Sequence, residues 1–217
     1  MTFLVLLGAP GAGKGTQAPI LADRLGLPHV ATGDLFRSAV NEGSAVGLEA
    51  RRYMERGQLV PDSITVKMLL DRLSQADAAG GAILDGFPRN LAQADILEGA
   101  LAERDSSVDI ALEIEVPEEV LVRRLSGRWI CRANGHVYNE TSHPPRVAGL
   151  CDLDGSALIQ REDDRSETIA ARLAAQLSAL NDVVGYYRER GLLRTIDGRR
   201  PVGEVTDALI KIGRAHV

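Results

Sequence analysis

The apolar positions of this chain fall into two kinds of run. Short unbroken stretches at 3–7, 27–30, 82–85 and 192–196 have the length and aliphatic content of buried strands. Residues 109–116 alternate and then stop at Pro117, giving a fifth strand. Between them the spacing becomes helical. Residues 17–25 place Ile20, Leu21 and Leu25 on one side and end at Gly26, with Pro19 tolerable only in about the first turn. A second helix opens at Pro61-Asp62-Ser63, runs through Ile64, Val66, Met68, Leu69, Leu70 and Leu73, and is expected to break at Gly80-Gly81. Pro117-Glu118-Glu119 opens a third, with proline and acids in its first turn. Asp163, Asp164 or Ser166 caps a long helix through Leu173, Leu177, Leu180, Val184 and Tyr187, and an amphipathic helix closes the chain. Strands alternating with helices predict an α/β fold, a five-stranded parallel sheet flanked by helices.

Two stretches keep neither period. Residues 32–60 are rich in Glu, Arg and Gly and read as small helices forming a partly detached flap. Thr32 or Asp34 is the expected cap of the first of them. Residues 129–164 are rich in Gly, Pro, Asn and His, with short strand-like pieces such as 136–138. No internal repeat or low-complexity segment interrupts the pattern.

Length and charge narrow the classes. The 217 residues suffice for one sizeable α/β core with small insertions, and a net charge of −5 argues against a general nucleic-acid or membrane-surface binder. No apolar run approaches the ~20 residues of a membrane span, and no secretory leader is visible. Cys131 and Cys151 are too few for a disulfide framework. A cytoplasmic monomer is expected.

The chemistry is concentrated where the first strand runs into Gly8-Ala-Pro-Gly-Ala-Gly-Lys-Gly-Thr16. Gly8, Gly11, Gly13 and Gly15 let the backbone turn tightly and aim N–H groups at an anion. The following helix adds its N-terminal amides, Lys14 a point charge, and Thr16 a hydroxyl within reach of a phosphate-bound metal ion. This is a P-loop, with one extra glycine between the lysine and the hydroxyl. The third strand ends in Asp85, a carboxylate placed to hold the waters of Mg²⁺, and continues as Gly86-Phe87-Pro88-Arg89, with Gln93 beyond. Arg89 suits a phosphate, and Gln93 can both donate to and accept from a base edge. Arg124 and Arg128 lie four apart and could share one helical face. Arg161 and Arg172 are eleven apart, about 16 Å along a helix, so they converge only if the chain turns between them. His29 reads as a plain strand residue.

The P-loop form, the Asp85–Arg89 pentapeptide and the Leu-x-x-Arg-x-x-Gly-Arg element ending at Arg128 together resemble the adenylate kinases, and the resemblance spans essentially the whole chain. It implies a core of 1–30, 61–126 and 165–217, a nucleoside-monophosphate-binding insertion at 31–60, and a long lid at 127–164 of the bacterial type. It implies ATP contacts at Gly11, Ala12, Gly13, Lys14, Gly15, Thr16, Arg128, Val137, Tyr138 and the Arg200 backbone. AMP contacts follow at Thr32, Arg37, Gln58, Leu59, Val60, Gly86, Phe87, Pro88, Arg89, Gln93, Arg161 and Arg172. Lys14, Arg89, Arg124, Arg128, Arg161 and Arg172 would surround the transferring phosphate, with Mg²⁺ held through water near Thr16, Asp34 and Asp85. The implied reaction is ATP + AMP ⇌ 2 ADP. Many long lids carry four zinc ligands; in that register this chain has Cys131, Asn134, Cys151 and Asp154. Asparagine is a poor zinc donor, so a hydrogen-bonded polar cluster is favoured over a structural zinc, with His136 or His143 substituting only by an unusual geometry. The rival readings are a GTP:AMP kinase, a UMP or CMP kinase, and, in another class, a P-loop regulatory ATPase.

Overall fold

The computed structural model describes residues 1–217, apart from the side chains of Ser166 and Glu167. β1 (Thr2–Leu7) is the central strand of a five-stranded parallel sheet completed by β2 (His29–Ala31), β3 (Gly81–Asp85), β4 (Val108–Glu115) and β8 (Leu193–Asp197), in the order β2-β3-β1-β4-β8. Because β1 has helices on both faces, an unbroken apolar run is what it needs. Phe3, Val5 and Leu7 pack on one side with Leu69, Leu97 and Val183. Leu4 and Leu6 pack on the other with Leu21, Leu121 and Leu209. The five strands match the sequence expectation to within two residues at each end.

The helices match less closely. α1 (Lys14–Leu25) begins three residues before the expected start, so Pro19 lies in its second turn, not its first. Its missing N–H leaves the carbonyl of Gly15 without the usual i+4 donor. α2 (Thr32–Asn41) and α3 (Ala45–Met54) form the flap. Neither Thr32 nor Asp34 caps α2: Thr32 Oγ1 donates instead to the Gly86 carbonyl at 2.8 Å, and Asp34 pairs with Arg37. α4 (Asp62–Leu73) ends well short of Gly80-Gly81, and a 3₁₀ turn at Ala76–Ala78 fills the interval. α5 (Leu91–Ala102), absent from the sequence expectation, starts at Asn90, whose side chain accepts from the Gln93 N–H at 2.8 Å. α6 (Glu118–Ser126) stops before Arg128, which opens β5 (Arg128–Cys131); Arg124 and Arg128 therefore do not share a helical face. β5 pairs with β6 (Val137–Asn139) and β7 (Leu158–Ile159) in a small antiparallel sheet. α7 (Ser166–Glu189) has Arg165 at its cap position with no side-chain bond, so Asp163 and Asp164 do not cap it; the side chain of Ser166 lies outside the described residues. α8 (Val202–Gly213) packs on α1 through Gln17, which donates to the Val202 carbonyl at 3.0 Å and accepts from Thr206 at 2.7 Å.

Connections from β1 and β3 leave in opposite directions, so the crevice at their C-terminal ends is the topological switch point where ligands bind in open α/β sheets.

Candidate active site

Gly8 leaves β1 with φ 147°, and a Cβ there would lie 2.8 Å from the Ile114 carbonyl of β4. Only glycine lets the loop turn this close to the neighbouring strand. The loop ends at Gly13, which precedes the first residue of α1, Lys14. Lys14 Nζ donates to the carbonyls of Gly8 at 2.5 Å and Ala9 at 3.2 Å, so its ammonium is held inside the anion hollow. Desolvation there, together with Arg89, Arg172 and Arg128, pulls its pKa down to about 8 despite Asp85. Thr16 and Gly15 remain exposed at the loop mouth.

Asp85, at the end of β3, lies beside this loop. Burial pushes its carboxyl up, but the His29 hydrogen bond and the Lys14 charge outweigh burial and hold it below the usual range. His29 Nε2 is 3.3 Å from Asp85 Oδ2, a contact made because β2 pairs with β3 in the register Ala31↔Asp85. His29 is thus more than the strand residue it reads as in sequence. An ionised Asp85 close to the Thr16 loop is the donor set that Mg²⁺ takes through its waters.

Across the crevice, a cleft is lined by Thr32, Arg37, Gln58, Leu59, Val60, Arg89, Gln93 and Arg172, eight of the twelve residues expected around AMP. The other four lie elsewhere. Gly86 acts through its carbonyl, which accepts from Thr32 and from Arg89 Nε at 2.7 Å. Phe87 is part of the core and Pro88 is buried beside it, so the side chain of Phe87 is structural and not a ligand contact. Arg161 stands just before a 3₁₀ turn at Glu162–Asp164, the turn needed for Arg161 and Arg172 to converge.

The arginines crowd one another. Burial, then Arg37 and Arg128, brings the Arg161 pKa down to about 9; burial, then Arg172, brings Arg89 down to about 10. Such mutual repulsion among cations in a cleft is the electrostatic mark of an anion site. Asp163, 3.0 Å from Arg172 Nη1, is one counter-ion within the cluster, and Asp164 is the other. Its side chain is 0% exposed, accepts from Arg128 Nε at 2.6 Å and from the same guanidinium's Nη2, and accepts from Arg172 Nη1 at 2.8 Å. Arg124, expected among the phosphate arginines, lies against the P-loop and donates to the carbonyl of Gly198 at 2.8 Å and of Ala12 at 3.4 Å. It ties the P-loop to the loop bearing exposed Arg200.

Comparison with known proteins decides the family. The family model described as adenylate kinase matches residues 6–192. Proteins named adenylate kinase from Streptomyces griseus (48% identical, 94% of this chain and 93% of that protein) and Staphylococcus aureus strain N315 (45%, 96% and 97%) are similar along nearly their whole length. A further one from Staphylococcus epidermidis is 45% identical over 96% of this chain and 97% of its own length. The chain belongs to the adenylate kinase family. It is a nucleoside monophosphate kinase, and neither a regulatory ATPase nor a kinase for pyrimidine monophosphates is favoured.

In this member of the adenylate kinase family the small sheet is closed by a polar cluster. Cys131 Sγ lies 3.2 Å from Asp154 Oδ2 and 3.0 Å from Ser156 Oγ, and Asn134 Nδ2 donates to Asp154 at 2.7 Å. Of the four positions in the ligand register, Asn134 stands as a donor to Asp154. His136 completes the cluster, its Nδ1 being 3.2 Å from Cys151 Sγ and 3.5 Å from Asp154 Oδ2. His143 takes no part and stacks on Tyr138. The ligand atoms of Cys131, His136, Cys151 and Asp154 all lie within 4.8 Å of one another. Tetrahedral zinc with bonds of about 2.0–2.3 Å needs donor–donor edges of about 3.3–3.8 Å. The four residues fit that group. Tyr138 is 3% exposed, packs among these cysteines, and accepts from the Asp152 N–H at 2.8 Å. Its side chain therefore belongs to the interior of this sheet, not to ATP; half-buried Val137 precedes it on β6.

Besides Asp164 and His29, sequence reasoning missed Asp62, which accepts from Gln93 Nε2 at 2.6 Å, and Gln176, which accepts from Arg89 at 3.3 Å. Each acts on a partner distant in the chain, so no local pattern could mark it.

Proposed function

We propose that the protein catalyses reversible phosphoryl transfer from Mg-ATP to AMP, yielding two ADP, with the P-loop side holding the donor and the Thr32–Arg172 cleft the acceptor. The observation that supports this most is the cleft itself: three arginines, a backbone run at Gln58–Val60 and the Gln93 amide line one crevice beside Lys14. The AMP phosphate is already an anionic nucleophile, so alignment and charge neutralisation are what the site must supply. Lys14 meets the ATP phosphates; Arg89 and Arg37 hold the AMP phosphate; Arg128, Arg161 and Arg172 meet the charge that builds between the two. Arg124 serves by fixing the P-loop against the 197–201 loop. When bound, Mg²⁺ would neutralise charge on the ATP phosphates. Thr16 and Asp85 would hold it through water, and Asp34 would join once freed from Arg37.

Residues 31–60 and 127–164 act in this reading as two closing segments on a core of 1–30, 61–126 and 165–217, excluding water that would otherwise hydrolyse ATP. A zinc held by Cys131, His136, Cys151 and Asp154 would brace the second segment without touching nucleotide. A cytoplasmic location is consistent with two free cysteines, and among the described residues no helix is long and apolar enough to cross a membrane; a monomer remains the reading made from the sequence.

The deciding assay offers AMP, CMP, UMP and GMP in parallel with Mg-ATP. Strong turnover with AMP alone is expected; ATP hydrolysis independent of acceptor would refute the reading.

A further inference from the structure

Asp62 is the first residue of α4, where an acid is unremarkable. Its partners are not. Both of its oxygens accept from Asn90 Nδ2 at 3.1 Å, and Oδ1 also accepts from Gln93 Nε2 at 2.6 Å. At the other end of the same amide, Gln93 Oε1 accepts the backbone N–H of Arg89 at 2.8 Å. A backbone N–H can only donate, and an ionised carboxylate can only accept. The two contacts therefore fix which end of the Gln93 amide is nitrogen, a point that the amide's own near-symmetric shape leaves open. Gln93 is 1% exposed, so neither contact has water to replace it.

With those two contacts made, the amide keeps one N–H and one oxygen lone pair, and Gln93 lines the acceptor cleft with Thr32, Leu59 and Val60. That is a donor and an acceptor in a fixed order. A 6-aminopurine presents the complement, an acceptor at ring N1 and a donor at N6. A 6-oxopurine presents the reverse, a donor at N1 and an acceptor at O6. To receive it the amide must turn over, setting Oε1 against the Asp62 carboxylate and Nε2 against the Arg89 N–H. Two buried hydrogen bonds would be replaced by two repulsive contacts. We propose that Asp62, braced by Asn90 and acting through Gln93, sets the preference for 6-amino over 6-oxo purine monophosphates. Asp62 is a positioning residue, and its role rests on the reading of this cleft as the acceptor site.

Cytosine offers the same acceptor–donor order as adenine, so the same mechanism leaves the AMP:CMP ratio to the size of the cleft. The test compares kcat/KM for AMP, IMP and CMP at saturating Mg-ATP in the wild type, Asp62→Asn, Asp62→Ser, Gln93→Ala and the Asp62→Asn/Gln93→Ala double variant, with thermal unfolding of each. The amide introduced by Asp62→Asn can itself turn to donate to Gln93. The expected AMP:IMP ratio therefore falls about tenfold or more in that variant, while AMP:CMP and the KM for ATP stay within about twofold. In the Gln93→Ala background the Asp62 change moves the ratio no further. An AMP:IMP ratio unmoved in Asp62→Asn, or moved equally without Gln93, overturns the proposal. If neither Asp62 variant folds, the wild type decides: an AMP preference over IMP below about tenfold overturns it. Wild-type enzyme that turns over no AMP would instead sink the acceptor-site reading, and this proposal with it.

Discussion

Lys14 is solvated by its own loop: its Nζ has the Gly8 and Ala9 carbonyls as partners, and a pKa near 8 leaves it poised to lose its proton just above neutrality. In the free enzyme the charged form is present below about pH 8 and lost above it, so kcat/KM for Mg-ATP should fall by about tenfold per pH unit on the alkaline side. Bound phosphates favour the ammonium, so kcat at saturating ATP should hold to higher pH. Pre-steady-state or initial-rate pH profiles check both limbs. Lys14→Met should lower kcat by about three orders of magnitude and abolish the alkaline limb; a variant of near-normal rate would remove Lys14 from the mechanism. At this scale the glycine-rich loop, Asp85 and Arg89 were legible because their chemistry is written in consecutive residues. Asp164, His29, Asp62 and Gln176 were not, because each takes its meaning from a partner brought near only by the fold.

At the scale of elements, the parallel strands were legible because burial on both faces demands unbroken apolar runs. The start of α1 was not: Gly-Lys-Gly-Thr has poor helix propensity, and only its place over the end of β1 makes it helical. α5 escaped because apolar and small residues surround it on every side, which hides the helical period. The small sheet of β5, β6 and β7 carries the clearest expectation. Its donor set of two thiols, an imidazole and a carboxylate fits zinc through His136, a residue outside the Cys-x₂-Asn register. Added Zn²⁺ should bind with one ion per chain and raise the Tm, EDTA should lower it, and His136→Ala should weaken binding by at least about tenfold. A Tm indifferent to both zinc and chelator would mean that the hydrogen bonds alone close the sheet.

Over the whole molecule, the flap meets the core at Gly57. Its φ of 68° and a built Cβ only 2.9 Å from Arg172 Cβ place it hard against α7. Gln176 of α7 donates to the Gly57 carbonyl at 3.3 Å while accepting from Arg89 at 3.3 Å, so one side chain links the flap to an arginine of the cleft. Gln176→Ala should raise the KM for AMP about threefold to tenfold and leave the KM for ATP unchanged; equal effects on both substrates would place Gln176 in general stability instead. The buried Asp164 has a consequence for the binding of substrates themselves. Arg172 of the cleft and Arg128 beside it are already paired with an anion built into the chain, so in the proposed reaction an incoming phosphate would be an exchange partner and not a first occupant. The pairs hold the two guanidiniums in place ahead of any ligand, and a nucleotide phosphate bound there would meet a competitor that never leaves. A product leaving such a site would release charges that have a partner waiting.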